Sequence, residues 1–579
     1  MHLLLISPPI EDFYNTAIRR YPLGILMLYR HLKHRFPNLH ITVLDARSQG
    51  KQTRRIPQTL QYLEDYYIPD KSPFASFQHY QRFGMSSRSL INQIKQIQPS
   101  LVGISSMFTT YFPQIIELGK GLHRELPHLP VLIGGGHATL HPSDILSYPY
   151  FHGVIRGEGE IPLEYLFQRL FEDCWGMQAL LTGENAVSLF DAIPGFCFRD
   201  SQGKHHIQPI FHGTTFPTSP MSLPPEWEPL SYKVGKDPMV MIQASRGCTQ
   251  RCDFCVIPQQ WGRTIRTRPI EGILNEMAFH VDRGIRLFDF EDDHLTAHRG
   301  WFRELMYGII NRFGTRKIQL TAMNGISYMD LTPELVYWMK EAGFSSLNIS
   351  LVNTHHRMLQ QVHRWGNVDW LNEVLAIADR LHMKVIVYII LGIPNQSIDS
   401  IIDSLIYLLK VPVTIGPSMF YHVPGSTMHQ QFARETHPYE WYRLTALKGE
   451  DTIHYRKQTH TLFLLCRWIN FLKAQMGYTG ISVSKFLWRD LLRYCETKVR
   501  SIQEEQHVII GWDNGVVKGC SGLSRQDWGW IASYDFLQTG HLKAIQPGVD
   551  RDEMQLVKRS VWDDDVPQLF WEALQTEPP

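Results

Sequence analysis

Along the first third of the chain, short apolar runs alternate with stretches whose apolar residues recur at helical spacing. The runs at 2–9, 40–45, 100–107, 131–136 and 153–158 are each bounded by Pro, Gly, Ser or Asp, as buried parallel strands are. Between them, 22–36 and 113–126 read as helices, and Pro22 and Pro113 suit a first turn. This βα alternation predicts an α/β fold with a doubly wound, Rossmann-like parallel sheet. Residues 49–89 interrupt it as a partly helical insertion.

From about 198 to 237 the text turns irregular and Pro-rich, and then a second alternation begins. Its strands are expected at 239–244, 285–290, 317–323, 346–351, 384–391 and 413–420, with helices near 270–283, 299–312, 333–341, 368–381 and 398–409. Six βα repeats predict a partial TIM barrel, (β/α)6, with chemistry at the C-terminal ends of its strands. After 429 the pattern changes again, to an apolar helix at 459–474 and a hairpin at 507–517 around Asp513-Asn514-Gly515. The expected division is a first domain at 1–185, a linker at 186–237, a barrel at 238–429 and a mostly helical C-terminal domain at 430–579 that closes over the barrel mouth and selects substrate.

Composition narrows the classes. A chain of 579 residues with 44% hydrophobic and 20% charged residues is ordinary for a soluble globular protein. Lys+Arg is 57 against Asp+Glu 56, so nothing argues for nucleic acid or an anionic membrane as partner. The longest apolar runs, such as 385–392, fall far short of the ~20 residues a membrane span needs. Met1–Pro9 lacks a basic n-region and is read as a first strand, not a signal peptide. Eight cysteines in so long a chain make no disulfide framework, and a reduced, cytoplasmic protein is expected. The 27 histidines show no H-E-x-x-H or similar spacing and receive no metal role.

The strongest chemical signal is Ser245-Arg246-Gly247-Cys248-Thr249-Gln250-Arg251-Cys252-Asp253-Phe254-Cys255, three thiols at C-x3-C-x2-C just after a strand. Thiolates favour zinc or iron–sulfur clusters. Zinc wants four ligands, commonly from two paired knuckles, and the remaining cysteines supply no second C-x2-C. Three thiolates can hold three irons of a four-iron cluster and leave the fourth open to a ligand. A zinc half-site completed by a distant His, or three incidental thiols, are the other readings. Cys466, in Leu464-Leu465-Cys466-Arg467-Trp468, reads as a buried small apolar residue.

This motif, opening a six-fold βα repeat, resembles the radical SAM superfamily. The resemblance implies a [4Fe–4S] cluster held by Cys248, Cys252 and Cys255, with the open iron chelated by S-adenosyl-L-methionine (SAM). It implies Phe254 near the adenine and further SAM contacts at Asp292, Ser350, Gly392 and Val423. Asp293 is as well read as a helix N-cap. Of Arg263, Arg266 and Arg268, one is expected to pair a carboxylate and two to be solvated.

Beside such a barrel, the first domain resembles a cobalamin-binding domain. Gly134-Gly135-Gly136 is no dinucleotide fingerprint. The resemblance implies cobalamin contacts at Leu23 and Gly24, at Ser105, Ser106 and Thr109, at Gly134, Gly135 and Gly136, and at Gly157 and Glu158 of Arg156-Gly157-Glu158-Gly159-Glu160. Asp45 opens Asp45-Ala46-Arg47-Ser48-Gln49-Gly50, where Arg47 stands at the position from which a D-x-H-x-x-G motif offers imidazole to cobalt. The pattern is similar to class B radical SAM methylases and to tetrapyrrole-cyclase-like relatives. It implies methylation of an unactivated carbon of a small-molecule substrate, through a 5′-deoxyadenosyl radical and methylcobalamin, with a ferredoxin or flavodoxin as electron donor. The alternatives are an oxidative cyclase or rearrangement enzyme that uses cobalamin without methyl transfer, and a non-catalytic cobalamin or metal sensor. The complete cysteine motif and the lack of an output module weigh against a sensor. Methylthiotransfer is set aside because only Cys174 and Cys197 precede the motif.

Overall fold

A computed structural model describes the whole chain except residues 14–20, 76–78, 173–174, 228–231, 433–437, 444–446, 448–452, 478–487, 513 and 577–579, so Cys174 and Asp513 lie outside the described residues. The first sheet contains β1 His2–Ser7, β2 His40–Asp45, β3 Leu101–Ser105, β4 Val131–Gly134, β5 Gly153–Ile155, β6 Phe196–Arg199 and β7 His205–His206, in spatial order β2-β1-β3-β4-β5-β6-β7. The first five are parallel. Their 2-1-3-4-5 order is flavodoxin-like, and such sheets bind ligands beyond the C-terminal strand ends. Both faces of β1 are covered, because Leu3 and Leu5 enter one core while Leu4 and Ile6 enter another.

The segment expected as a linker at 186–237 begins with the short helix Ala186–Phe190 and continues as sheet. β6 and β7 extend the sheet antiparallel. Phe196 and Phe198 pack on Phe190, and Gly153 leaves the room that the Phe196 ring fills. The 49–89 insertion supplies Lys51–Thr53 and Gln81–Phe83, which join Ile10–Asp12 in a small antiparallel sheet, and a 3-10 turn at Gln58–Leu63.

The barrel strands are β8 Asp237–Ile242, β9 Leu287–Phe290, β10 Gln319–Thr321, β11 Ser346–Val352, β12 Lys384–Leu391 and β13 Thr414–Met419. They run parallel in chain order, and the ladder between β10 and β11 thins to single bridges at Leu320–Phe344 and Ile326–Ile349. Helices Ile270–Val281, Arg299–Phe313, Pro333–Ala342, Val368–Arg380 and Ile398–Lys410 fill the connections. Thr332, Asn367 and Ser397 cap three of them by accepting backbone N–H groups at the first turn.

Helices Ile453–Gln475, Trp488–Gln506, Arg525–Thr539 and Asp565–Thr576 dominate the C-terminal part, and four antiparallel strands join them. The hairpin expected at 507–517 is the pair Ile509–Gly511 and Val516–Lys518; the partners Glu553–Val557 and Ala544–Pro547 carried no signal that marked them as strands. Helix Ile453–Gln475 runs along β13, the last strand of the six-stranded arc. Asn470 donates to Ile415 O (2.7 Å) and accepts from Ile415 N (2.8 Å), so its amide answers the edge as a neighbouring strand would. Lys473, fully buried, donates to the carbonyls of Leu408, Val411 (2.6 Å) and Val413 (2.9 Å). Cys466 is a core residue, as expected, and Trp468 is buried with it. Among the described residues, no helix is long and apolar enough to cross a membrane.

Candidate active site

After β8 the chain turns through Ser245–Arg246, which pairs antiparallel with Arg266–Thr267. Gly247 takes φ +100° there, and a side chain would collide with the Thr264 carbonyl. The loop then presents Cys248 and Cys252, both buried, and Cys255, half-buried; all three thiols are free. No three His, Cys, Asp or Glu side chains among the described residues converge on a point where one metal ion could sit. The three thiols nevertheless lie near one another, since Cys255 feels both Cys252 and Cys248 and Cys252 feels Cys248. Three thiols are one short of a closed zinc set, whereas a polynuclear cluster takes one thiolate on each of three irons, so the donor set suits the cluster. Burial pushes the Cys255 thiol up to about 12 and raises Cys252 against the pull of Arg364. At neutral pH such thiols ionise only beside strong positive charge, which bound iron supplies.

Two cationic side chains attend the sulfurs. Arg364 Nη1 lies 3.6 Å from Cys252 Sγ while Nη2 donates to Ser350 O (2.9 Å). His294 Nδ1 is 3.9 Å from Cys248 Sγ, and its Nε2 pairs with Asp330 (2.7 Å). Burial alone would lower the imidazole, but Asp330 and Cys248 raise it to about 9. Neither residue belongs to a sequence motif, and a single His or Arg 46 or 112 positions from its cysteine leaves no local signal.

The expected SAM residues divide. Phe254 packs against the cluster of Val362, Ile393, Phe420 and Met428, beyond the ends of β12 and β13. Ser350 lies on β11, where Arg364 ties its carbonyl to the cysteine loop. Val423 follows β13 in a turn closed by Ser426 N. Asp292 has another duty, because its carboxylate accepts from Ala244 N (3.1 Å) and Ser245 Oγ (2.5 Å) and so props the cysteine loop. Burial pushes Asp292 up to about 6, and burial with Asp292 beside it pushes Asp293 to about 7. The next helix is capped by His298 and not by Asp293, whose carboxyl feels the Gly247 backbone. Gly392 (φ +84°) turns the chain under the C-terminal helix, where a side chain would come within 3.1 Å of Thr459 Oγ1. Its conformational freedom is used by that packing.

On the first domain, the ends of β3 and β4 interlock. Ser106 N donates to Gly134 O (2.6 Å) and His137 N to Ser106 O (3.0 Å), with Thr109 Oγ1 3.1 Å from His137 Nδ1. A side chain at Gly135 or Gly136 would come within 2.7 Å of the Ser106 or Met107 carbonyl. Ser106 Oγ and His137 Nε2 are buried without a partner, while Met107 and Phe108 stand half-exposed beside them. A glycine floor, unanswered buried polar atoms and an apolar ledge fit cobalamin, whose ring is broad and flat and whose margin carries amides. Gln260, from the short helix Ile257–Trp261 just after Cys255, donates to Gly136 O (3.2 Å). The glycine cradle and the cysteine loop are therefore direct neighbours.

The other residues expected at cobalamin have the following surroundings. Gly24 starts helix Leu23–Arg35, next to Leu23, and nothing lies within 4 Å of where its Cβ would be. Asp45 is buried and accepts from Tyr232 OH (2.6 Å), a residue just before the barrel. Glu158 is not available to a cofactor, because Arg266 takes one of its oxygens and Arg246 the other (2.7 Å). Glu160 holds the second arm of Arg246 (2.5 Å). Gly157 sits against the Phe211 carbonyl. Burial would raise the Glu160 carboxyl, but Arg246 overrides it and holds it below the usual range. A second buried junction joins Arg30 of the first domain to Glu276 of the barrel (3.1 Å), which also pairs Arg268 (2.7 Å). Two of the three arginines after the cysteine loop, Arg266 and Arg268, are thus buried in ion pairs, one more than expected.

Comparison with known proteins agrees with this division. Residues 79–167 match the B12 binding domain and residues 242–408 the Radical SAM superfamily. Over 426 residues the chain is 25% identical to cytidylyl-2-hydroxyethylphosphonate methyltransferase of Streptomyces wedmorensis, covering 68% of this chain and 73% of that protein. Three other curated relatives are matched over 52% to 66% of their length. Among solved structures, the cobalamin-dependent S-adenosylmethionine radical enzyme OxsB, with aqua-cobalamin and S-adenosylmethionine bound, superposes with TM-score 0.57 at 13% identity, covering 99% of this chain and 79% of that one. The radical S-adenosylmethionine methyltransferase TsrM from Kitasatospora setae, with cobalamin and a [4Fe-4S] cluster bound, does so with TM-score 0.55 at 15% identity, covering 76% and 79%.

Proposed function

We propose that this chain, a radical SAM protein built onto a B12-binding domain, is a C-methyltransferase that acts on an unactivated carbon of a small molecule. The observation that carries the reading is the contact between the two candidate cofactor sites, where Gln260 of the cysteine loop meets Gly136 of the cradle. Together, the cluster, SAM and cobalamin supply hydrogen abstraction from carbon and a methyl group to put in its place. Cys248, Cys252 and Cys255 are the thiols that hold the cluster. Arg364 and His294 set positive charge beside their sulfurs. Phe254 gives SAM an apolar wall, and Ser105, Ser106, Thr109 and Gly134–Gly136 line the cobalamin side. Arg246, Glu158 and Glu160 lock the two sides together, which holds reactants in one geometry. The named methyltransferase among the relatives supports the transfer. Arg47, at the position where other cobalamin domains offer imidazole, leaves no histidine there for cobalt. The free thiols and the low-potential chemistry suit a reducing cytoplasm with a ferredoxin or flavodoxin as donor.

The test is anaerobic reconstitution with iron, sulfide and cobalamin, followed by SAM and a strong reductant. We expect both 5′-deoxyadenosine and S-adenosylhomocysteine, each lost in Cys252→Ser. Deoxyadenosine alone, with cobalamin bound, would replace methyl transfer by cobalamin-assisted radical chemistry of the cyclase kind.

A further inference from the structure

We propose that the cavity between helix Ile453–Gln475 and the edge of β13 is a second ligand site, and that it takes a small organic anion, a carboxylate or phosphate carried on an apolar or aromatic body. The cavity holds about 380 Å³, within the range of small-molecule sites, and none of its lining residues belongs to the cysteine loop or the glycine cradle. Phe463, Arg467, Asn470 and Phe471 line it from the helix, at the i, i+4, i+7, i+8 spacing that puts side chains on one face. Pro417 lines it from β13, two residues beyond the Ile415 backbone that Asn470 occupies. A proline brings no N–H to that stretch of edge, so the wall there is apolar. Pro73, from the insertion in the first domain, closes another side. The aromatic wall is braced from behind, because Phe471 packs edge-on against Phe74 (5.4 Å between centroids) and Trp530 (5.2 Å).

Arg467 is the charged group of this lining, and it pairs with no carboxylate among the described residues. Its Nη2 reaches Pro73 O at 3.4 Å, and its guanidinium carbon lies 5.8 Å from the centre of the Phe463 ring. The acid that acts on it, Asp70, is already occupied. Asp70 accepts from Ser72 N, Ser72 Oγ and Ile545 N (2.9 Å each) and pairs with Arg559. Arg525 and Arg559 add like charge, so one engaged carboxylate answers three guanidinium groups. Burial and Arg525 lower Arg467 to about 10, which leaves it charged at neutral pH but makes that charge a cost to the fold. Folding alone would favour a partner or an apolar side chain at this place. A ligand oxyanion supplies the partner: the guanidinium fork takes two of its oxygens, and the Phe and Pro walls cover the body that carries it. This site needs neither cluster nor cobalamin, so its failure would leave the radical SAM reading untouched.

The experiment is calorimetric titration of the full-length protein with benzoate and, separately, phenyl phosphate, with benzyl alcohol as the uncharged counterpart. Saturable binding of at least one anion is expected, and the tighter of the two identifies the head group. Arg467→Met should weaken that anion roughly ten-fold or more. It should also raise the melting temperature of the unliganded protein, an outcome that a merely structural arginine would reverse. Arg525→Glu, at an exposed position, sets a carboxylate near the guanidinium and should weaken the anion roughly two- to five-fold. No saturable binding of either anion, or benzyl alcohol binding as tightly, would overturn the site. So would a lower melting temperature in Arg467→Met. Unchanged affinity in Arg525→Glu decides against the site even if Arg467→Met does not fold.

Discussion

On the side that faces the B12-binding domain, the barrel is held by opposite charges buried in pairs, Arg246 with Glu158 and Glu160 and Arg268 with Glu276, whereas along its last strand it is held by Lys473 and Asn470 against backbone. The first arrangement is directional. Each guanidinium fork fits its carboxylates in one register, and a slip leaves a charge alone in the interior. The second needs only donors at the right height. Among the described residues Lys473 pairs with no carboxylate, and burial alone lowers its ammonium to about 7. The difference separates two tasks: fixing one position next to the reacting groups, and sealing an edge.

The comparison breaks most sharply at Arg246. Arg246→Ala strands Glu160 in a dry interface, and a loss of ~3–5 kcal/mol in chemical denaturation is expected. Arg246→Met combined with Glu160→Gln removes the stranded charge and should recover most of it. Equal losses in the single and double variants would mean that these charges do not specify the junction.

A smaller effect is expected across the barrel. Lys473→Met leaves the carbonyls of Leu408, Val411 and Val413 short of a donor but also ends the cost of burying an ammonium. The net loss should be about 1–3 kcal/mol, with the first domain's junction unaffected. A loss as large as that of Arg246→Ala would erase the distinction between the two sides.

A further effect appears only in acid. Burial would raise the Glu276 carboxyl, but Arg30 and Arg268 overrule it and hold it at about 2, against an ordinary 4.5. A depressed acid stabilises fully above its unfolded value and loses that contribution as pH falls through the folded one. Stability should therefore decline between about pH 4.5 and 2, and Glu276→Gln should flatten that limb. An unaltered acid limb in the variant would show that other carboxylates govern it.

Much of the barrel was legible because burial period is a local property. The strands expected at 239–244, 285–290 and 384–391 lie on β8, β9 and β12 within a few residues. The third was expected at 317–323 and spans only Gln319–Thr321, since its ladder toward β11 thins to isolated bridges and pairing cannot be read from hydrophobicity. β6 and β7, of four and two residues, are too short to show a period, which is why their segment read as linker. The cysteine spacing announced the metal chemistry by itself. What it could not announce was the job of Glu158, whose partner Arg246 lies 88 residues away, or the presence of His294 and Arg364 beside the sulfurs. Gly392 carried part of its signal: a glycine after a strand marks a tight approach, and the approach of Thr459 from the C-terminal helix is one that no local pattern shows.

Asn470 also sets the size of the arc. Because a side-chain amide already occupies the backbone groups of Ile415, β13 has no vacancy there for a seventh strand. Appending another βα unit to this repeat would have to evict the C-terminal helix before the new strand could register. The same occupancy keeps a second copy of the chain from adding its own strand at that place, so the count of six is imposed by the segment that follows the repeat, and with it the protein's resistance to growing by accident into a fibre.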